Sequence, residues 1–200
     1  LTAVYVQTWY PGDDGLTIFV DWHTKPHWTK SYSHAGHIAM WGRTMPGTKQ
    51  LILNGCDGRY LGGWDYPIDV HMTHILVDLE AALEHTLARP IACTVMDSEG
   101  GGLPLGERYA EAERSYVSVL PGEHTYRLAD FVLEGGWEPV PDDAQREATF
   151  AHWADPKRAN ADPRQFVLMR PVGRTDPTRI YTGQFAALSA GQIPWLHRRR

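Results

Sequence analysis

Cysteine is scarce in this chain of 200 residues. Cys56 and Cys93 stand 37 positions apart with no C-x-x-C pair, which excludes a cysteine zinc site of the usual spacing and any disulfide framework. A reducing, intracellular setting is therefore expected. No apolar run approaches the roughly 18 residues that a membrane helix needs. No signal-peptide pattern is visible either, so no membrane partner is expected. Internal repeats and low-complexity tracts are missing, which excludes solenoids and repeat arrays. Ten histidines are present, yet none falls in an H-E-x-x-H or similar zinc pattern. His71 and His74, three apart on a predicted helix, read as surface residues.

Hydrophobic residues make up 42% and charged residues 22% of the chain. This is an ordinary globular balance, with length enough for a sizeable core. A net charge of −5 taken whole argues against a nucleic-acid binder. The distribution of that charge points the other way. Residues 1–150 hold 10 Lys/Arg against 21 Asp/Glu, whereas residues 151–200 hold 9 against 3 and finish in His197-Arg-Arg-Arg200. Such asymmetry suits an acidic metal-binding core beside a basic substrate-facing part, and equally a solvated basic face. Eight tryptophans serve either to fill a core or to stack on bases.

The apolar, β-branched run Thr17-Ile-Phe-Val20 predicts a buried strand at about 16–22, delivering Asp21 near its carboxyl end. Ile91–Met96 repeats the device and delivers Asp97, followed by Ser98-Glu99 and three glycines. Residues 23–48 read as mostly loop. Gln50–Asn54 and Arg59–Trp64 flank Asp57-Gly58 and predict a hairpin. Met72, Ile75, Leu76, Leu79, Leu83 and Leu87 line one face of a predicted helix over 70–88. A second helix is expected over 104–115 and a short strand over 116–120.

Residues 16–120 thus read β–ββ–α–β–α–β, an α/β chain with a mixed sheet flanked by helices, as in the ribonuclease-H-like architecture. Residues 121–188, broken by prolines, read as an inserted β-containing segment with strands near Gln165–Arg170 and Arg179–Thr182. Residues 1–15 read as the end of a preceding segment. Ser189-Ala-Gly-Gln192 resembles a capping box opening a final helix over 189–200. The chain starts on Leu1 and stops about two or three turns into that helix, so it reads as a piece of a longer protein.

Carboxylates ending two neighbouring strands can share divalent cations, and hard oxygen donors suit Mg²⁺ or Mn²⁺. A pair of such metals activates water or a 3′-hydroxyl and stabilises a phosphodiester leaving oxygen. The competing reading is that Asp21 and Asp97 only terminate strands. Lys25 offers a point charge for a phosphate. His23 either orients Asp21 or the phosphate, or bonds to backbone. Glu99 either holds metal through water or is a surface loop acid. Arg198, Arg199 and Arg200 either reach DNA phosphates or are solvated helix charges.

Val20-Asp-Trp-His-Thr-Lys-Pro26, Met45-Pro-Gly-Thr48, Leu53-Asn-Gly-Cys-Asp-Gly58 and Val95-Met-Asp97 together resemble bacterial insertion-sequence transposases of the DDE type. The similarity to their catalytic domain spans roughly residues 16–200. It implies that Asp21 and Asp97 are the first two catalytic acids and metal ligands. A glutamate in an R-W-x-x-E-like pattern would be the third, and Leu196-His-Arg-Arg-Arg200 resembles the lead-in to it. Two positions depart from the pattern. Trp22 stands where a small residue is expected, and the sequence stops before the glutamate. The resemblance implies two-metal cutting and joining of double-stranded DNA, at transposon ends and target, in the bacterial cytoplasm on the nucleoid. A homodimer is compatible with it. This chain by itself is then expected to be inactive. Two rivals stand beside this reading: a transposase-derived remnant that binds DNA or a partner without cutting, and a glycosidase using the two aspartates as its carboxylate pair.

Overall fold

The computed structural model describes residues 9–10, 15–28, 34–38, 41–185 and 188–198. The chain divides into two compact units, Leu1–Ile91 and Ala92–Arg200.

The first unit is built on four antiparallel strands: β1 (Leu16–Pro26), β2 (Ala35–Ile38), β3 (Arg43–Gly55) and β4 (Tyr60–Pro67). β3 is shared by all of them, pairing with β1 from Ile18↔Gly55 to Pro26↔Gly47, with β2 through its first residues, and with β4 through the rest. The expected loop over 23–48 is thereby corrected, because β1 runs on to Pro26 and β2 and half of β3 lie inside that stretch. Glycine disguises these strands in the sequence. A Cβ on Gly47 would lie 2.8 Å from the Lys25 carbonyl oxygen and 2.9 Å from Ile68, and one on Gly36 3.0 Å from Ile68. Ile68 packs over both and joins Ile38 and Met45 in a small buried cluster.

The expected hairpin is present, with Gly58 at φ 81° and the Asp57 carboxylate accepting the Arg59 amide at 3.1 Å. The predicted helix 70–88 is a 3₁₀ turn at Met72–His74 followed by α1 (Leu76–Leu87). Its stripe is buried at Met72, Leu76 and Leu87 and half-buried at Ile75, Leu79 and Leu83.

The second unit starts with β5 (Ile91–Val95), then α2 (Leu103–Glu111) and β6 (Tyr116–Val119). β5 and β6 are parallel, as a strand–helix–strand crossover requires. Next come β7 (Phe131–Leu133), β8 (Glu138–Val140), β9 (Asp143–Trp153), α3 (Pro156–Ala161), β10 (Phe166–Pro171), β11 (Arg179–Gln184) and α4 (Gln192–Arg198). β6 pairs with β11, β11 with β10, and β10 with β9; β7 and β8 both pair with β9, all antiparallel. The result is a mixed sheet with helices, compatible with a ribonuclease-H-like architecture. Strands from the segment 121–188 continue this sheet through β11 and β6. The core here gathers Leu120, Phe131, Ala151, Trp153, Phe166, Leu168 and Ile180. Phe131 and Trp153 stack at 4.7 Å, so this tryptophan fills a core. Trp28 and Trp41 are exposed.

Candidate active site

In the first unit, β1 alternates sides, so Asp21, His23 and Lys25 share one face of the sheet. Their partners on β3 are Ile52, Gln50 and Thr48, and β4 adds Gly63, Asp65 and Pro67 in the same rows. The face is polar. The Gln50 amide donates to Asp65 at 3.2 Å, and His27 Nε2 meets Thr48 Oγ1 at 3.2 Å. Asp21 is half-buried while His23 and Lys25 are exposed. The sequence reading ends β1 near residue 22; Asp21 instead sits mid-strand, because pairing with β3 continues through five further residues. Its Oδ1 accepts the Trp22 amide at 3.1 Å. Trp22 itself belongs to the other face, buried and stacked on Tyr66 at 5.8 Å with the Lys49 ammonium 5.2 Å above its ring. A large residue at this position therefore leaves the Asp21 face open.

In the second unit, Asp97 stands one residue beyond the end of β5, after the buried Met96, and is half-buried. Its carboxylate accepts the Glu99 amide at 3.0 Å and caps the 3₁₀ turn Ser98–Gly101. Its carbonyl accepts the Ser118 hydroxyl. Glu99 is exposed. Two of the three glycines after it, Gly100 and Gly101, are required by close approach. A Cβ on Gly101 would fall 2.1 Å from the Val119 carbonyl oxygen, and one on Gly100 2.6 Å from the Met96 sulfur. The loop is pressed onto β6, and the Arg164 guanidinium donates to the Gly101 carbonyl at 2.9 Å.

The final helix ends at the same place. His197 Nε2 lies 3.0 Å from the Met96 carbonyl, the residue before Asp97. A carbonyl only accepts, so Nε2 carries the proton. Trp195 donates to Asp142 at 3.0 Å and Arg198 pairs with Asp143 at 3.0 Å. Half of the expected capping box forms: the Gln192 side chain accepts the Ser189 amide at 2.8 Å. Arg198 is thus held by an acid, and Arg199 and Arg200 lie outside the described residues.

Asp21, His23 and Lys25 are brought together in the first unit, and Asp97, Glu99 and His197 gather at one end of β5 in the second. Asp21 and Asp97 belong to different units. Their carboxylate oxygens are the hard donors that Mg²⁺ or Mn²⁺ prefers. Among the described residues, no three His, Cys, Asp or Glu side chains cluster as a complete metal site. Sequence reasoning missed His197 as a helix anchor and Arg164 as the clamp on the glycine loop, since neither contact leaves a local pattern.

Compared with protein-family profiles and with curated proteins, the chain matches none. Among solved structures it is similar to a cryo-EM structure of a piggyBac transposase synaptic complex with hairpin DNA, at 13% identity and a TM-score of 0.40. The match covers 89% of this chain and 34% of that one, so the chain spans about a third of the neighbour's length. Among the described residues, no helix is long and apolar enough to cross a membrane.

Proposed function

We propose that this chain carries the ribonuclease-H-like catalytic core of a DDE-type DNA transposase of the insertion-sequence kind. Residues 16–120 are the core, 121–188 the β-containing insertion and 189–200 the start of the catalytic helix. The observation that supports it best is local: Asp97 leaves the carboxyl end of a strand in a parallel pair, and α4 is docked at that end through His197 and the Met96 carbonyl. A ligand-binding carboxylate belongs at the carboxyl ends of such strands.

In this reading Asp21 and Asp97 would each ligate Mg²⁺ or Mn²⁺, and the metal would supply an activated hydroxyl nucleophile and offset charge on the leaving oxygen. Lys25, two rows along the Asp21 face, offers its ammonium to a backbone phosphate, and His23 between them restrains the same phosphate or the carboxylate. Arg198 adds a basic contact at the end of α4. DNA is the partner, at element ends and target, and the protein works on the bacterial nucleoid.

The test is a thermal melt of the purified chain with and without millimolar Mn²⁺. A cation that binds only the folded state raises Tm, and the rise shrinks in Asp21→Asn and in Asp97→Asn. A wild-type melt unmoved by Mn²⁺ overturns the metal-dependent reading.

A second reading, a catalytically inactive transposase-derived protein that binds DNA or a partner, is favoured by one observation. Asp97 already has a structural task as the cap of the turn Ser98–Gly101. Such a protein binds duplex with a steep salt dependence and gains nothing from Mg²⁺.

A further inference from the structure

A cavity of about 300 Å³ opens in the second unit where the last turn of α4 meets β9, β10 and β11. Its wall carries three arginines from three elements, Arg146 of β9, Arg179 of β11 and Arg198 of α4, together with Thr178, Tyr181 and His197. Asp143 holds Arg146 Nε at 3.4 Å and Arg198 Nη2 at 3.0 Å, and Glu123 holds Arg179 Nε at 3.1 Å. Three guanidiniums against two carboxylates leave a surplus of positive charge.

The carboxylates act as struts. Glu123 also accepts the Ile180 amide at 2.8 Å and Asp143 the Gln145 amide at 3.3 Å, so both are tied to the backbone. Each guanidinium has five N–H donors, of which a carboxylate engages two at most. Donors therefore remain beyond those pairs. Tyr181 is 3% exposed, and its hydroxyl faces the Met169 sulfur at 4.0 Å, a weak acceptor. Burial pushes its phenol up to about 12, so the hydroxyl stays a donor at neutral pH. The pocket is thus rich in donors for an oxyanion.

We propose that this pocket binds a phosphate group, held by Arg146, Arg179 and Arg198 and by the Tyr181 hydroxyl. The source favoured here is a nucleic-acid backbone phosphate, a choice that rests on the DNA reading above; free phosphate carries the same chemistry. His197 gives the seat its consequence. Its ring lies 5.3 Å from that of Tyr181 while its Nε2 is on the Met96 carbonyl. A phosphate bound here braces α4 against the end of β5 that carries Asp97.

The experiment uses the whole chain with Arg146→Gln, Arg179→Gln and, as a matched loss of charge outside the pocket, Lys157→Gln on exposed α3. Duplex binding is followed by fluorescence anisotropy over a salt series, inorganic phosphate binding by calorimetry, and folding by thermal melts. Each arginine variant is expected to weaken duplex binding about tenfold and to lower the slope of log K against log salt by about 1. Lys157→Gln is expected to leave duplex binding within about twofold of wild type. Inorganic phosphate binding is expected in wild type and lost in both arginine variants. Duplex binding unchanged in Arg146→Gln and Arg179→Gln, or weakened equally by Lys157→Gln, overturns the pocket while the DNA reading stands. Phosphate binding lost in the variants, with no duplex binding by wild type, keeps the pocket, assigns it to free phosphate and defeats the DNA reading. A wild type that binds neither overturns the proposal.

Discussion

Arg164 joins two parts of the second unit through one guanidinium. Its Nε and Nη2 grip Asp162 at 2.7 and 2.8 Å while Nη1 reaches the Gly101 carbonyl at 2.9 Å. The two side chains are 8% and 17% exposed. Burial pushes the Asp162 carboxyl up, but the hydrogen bonds and charge of Arg164, with the Trp153 indole, outweigh it and hold the group below the usual carboxylate range. A depressed folded pKa stabilises the protein fully above the unfolded value of about 3.9, and the benefit is lost as pH falls through the folded value. Asp162→Asn should therefore cost roughly 3 kcal/mol at pH 7, as expected when one partner of a buried pair is removed. Its deficit against wild type should shrink steadily below about pH 4. Urea unfolding at a series of pH values measures both, and a deficit independent of pH would refute the assignment. Asp162 and Arg164 are two apart in sequence, but nothing in that spacing reveals that the pair clamps a loop 63 positions away. That Asp21 and Asp97 each follow an apolar run is legible in the sequence; the clamp on the Asp97 loop is not.

Among the elements, β9 shows where sequence patterns mislead. Asp143–Trp153 is rich in alanine and in residues that favour helices, yet it is a strand, paired with β10 on one side and with β7 and β8 on the other. Its small residues are wanted for packing. Ala148, Thr149 and Ala151 are fully buried, with Ala151 opposite Phe166 and Thr149 opposite Leu168. Tertiary packing overrides propensity here, as strand pairing and close packing at Gly36 and Gly47 override the loop signal of glycine in the first unit. The strands β1, β5 and β6 were legible because β-branched and aromatic residues dominate them, and β10 and β11 because each carries a short run of strand formers or apolar residues, Phe166–Met169 and Ile180–Thr182. The glycine loop after Asp97 was legible only as permissive; its actual demand is closeness. Gly101→Ala would drive a methyl into the Val119 carbonyl, so it should cost about 1–3 kcal/mol, as overpacking does. Chemical denaturation checks that figure, and a fully stable variant would mean the loop can lift from β6. At α4, Trp195→Phe deletes the indole bond to Asp142. Amide exchange over residues 192–198 should quicken several-fold, since one hydrogen bond is worth about 1 kcal/mol. Unchanged exchange would show that His197 and Arg198 suffice to hold the helix.

For the whole molecule, the two aspartates stand in separate compact units, and each is proposed as a metal ligand. Whether they take up metal as one site or as two is a question of coupling, which a double-mutant cycle reads without any further structure. If Asp21 and Asp97 hold the same cation, removing either carboxylate already destroys the site. Asp21→Asn and Asp97→Asn should then each abolish most of the Tm rise given by Mn²⁺, and the double variant should lose almost nothing more. If instead each aspartate collects a cation alone, each single variant should remove only its own share, and the two losses should add in the double. The cap formed by Asp97 matters to the design of this test. Asparagine keeps a side-chain oxygen for the Glu99 amide, so the turn Ser98–Gly101 stays capped and the metal-free melt should barely move. A drop in the metal-free Tm confined to Asp97→Ala would separate the capping task from the metal task. Additive losses in the Asn series would retire the shared-metal mechanism and leave the DNA-binding reading, with its arginine-lined pocket, as the function to pursue.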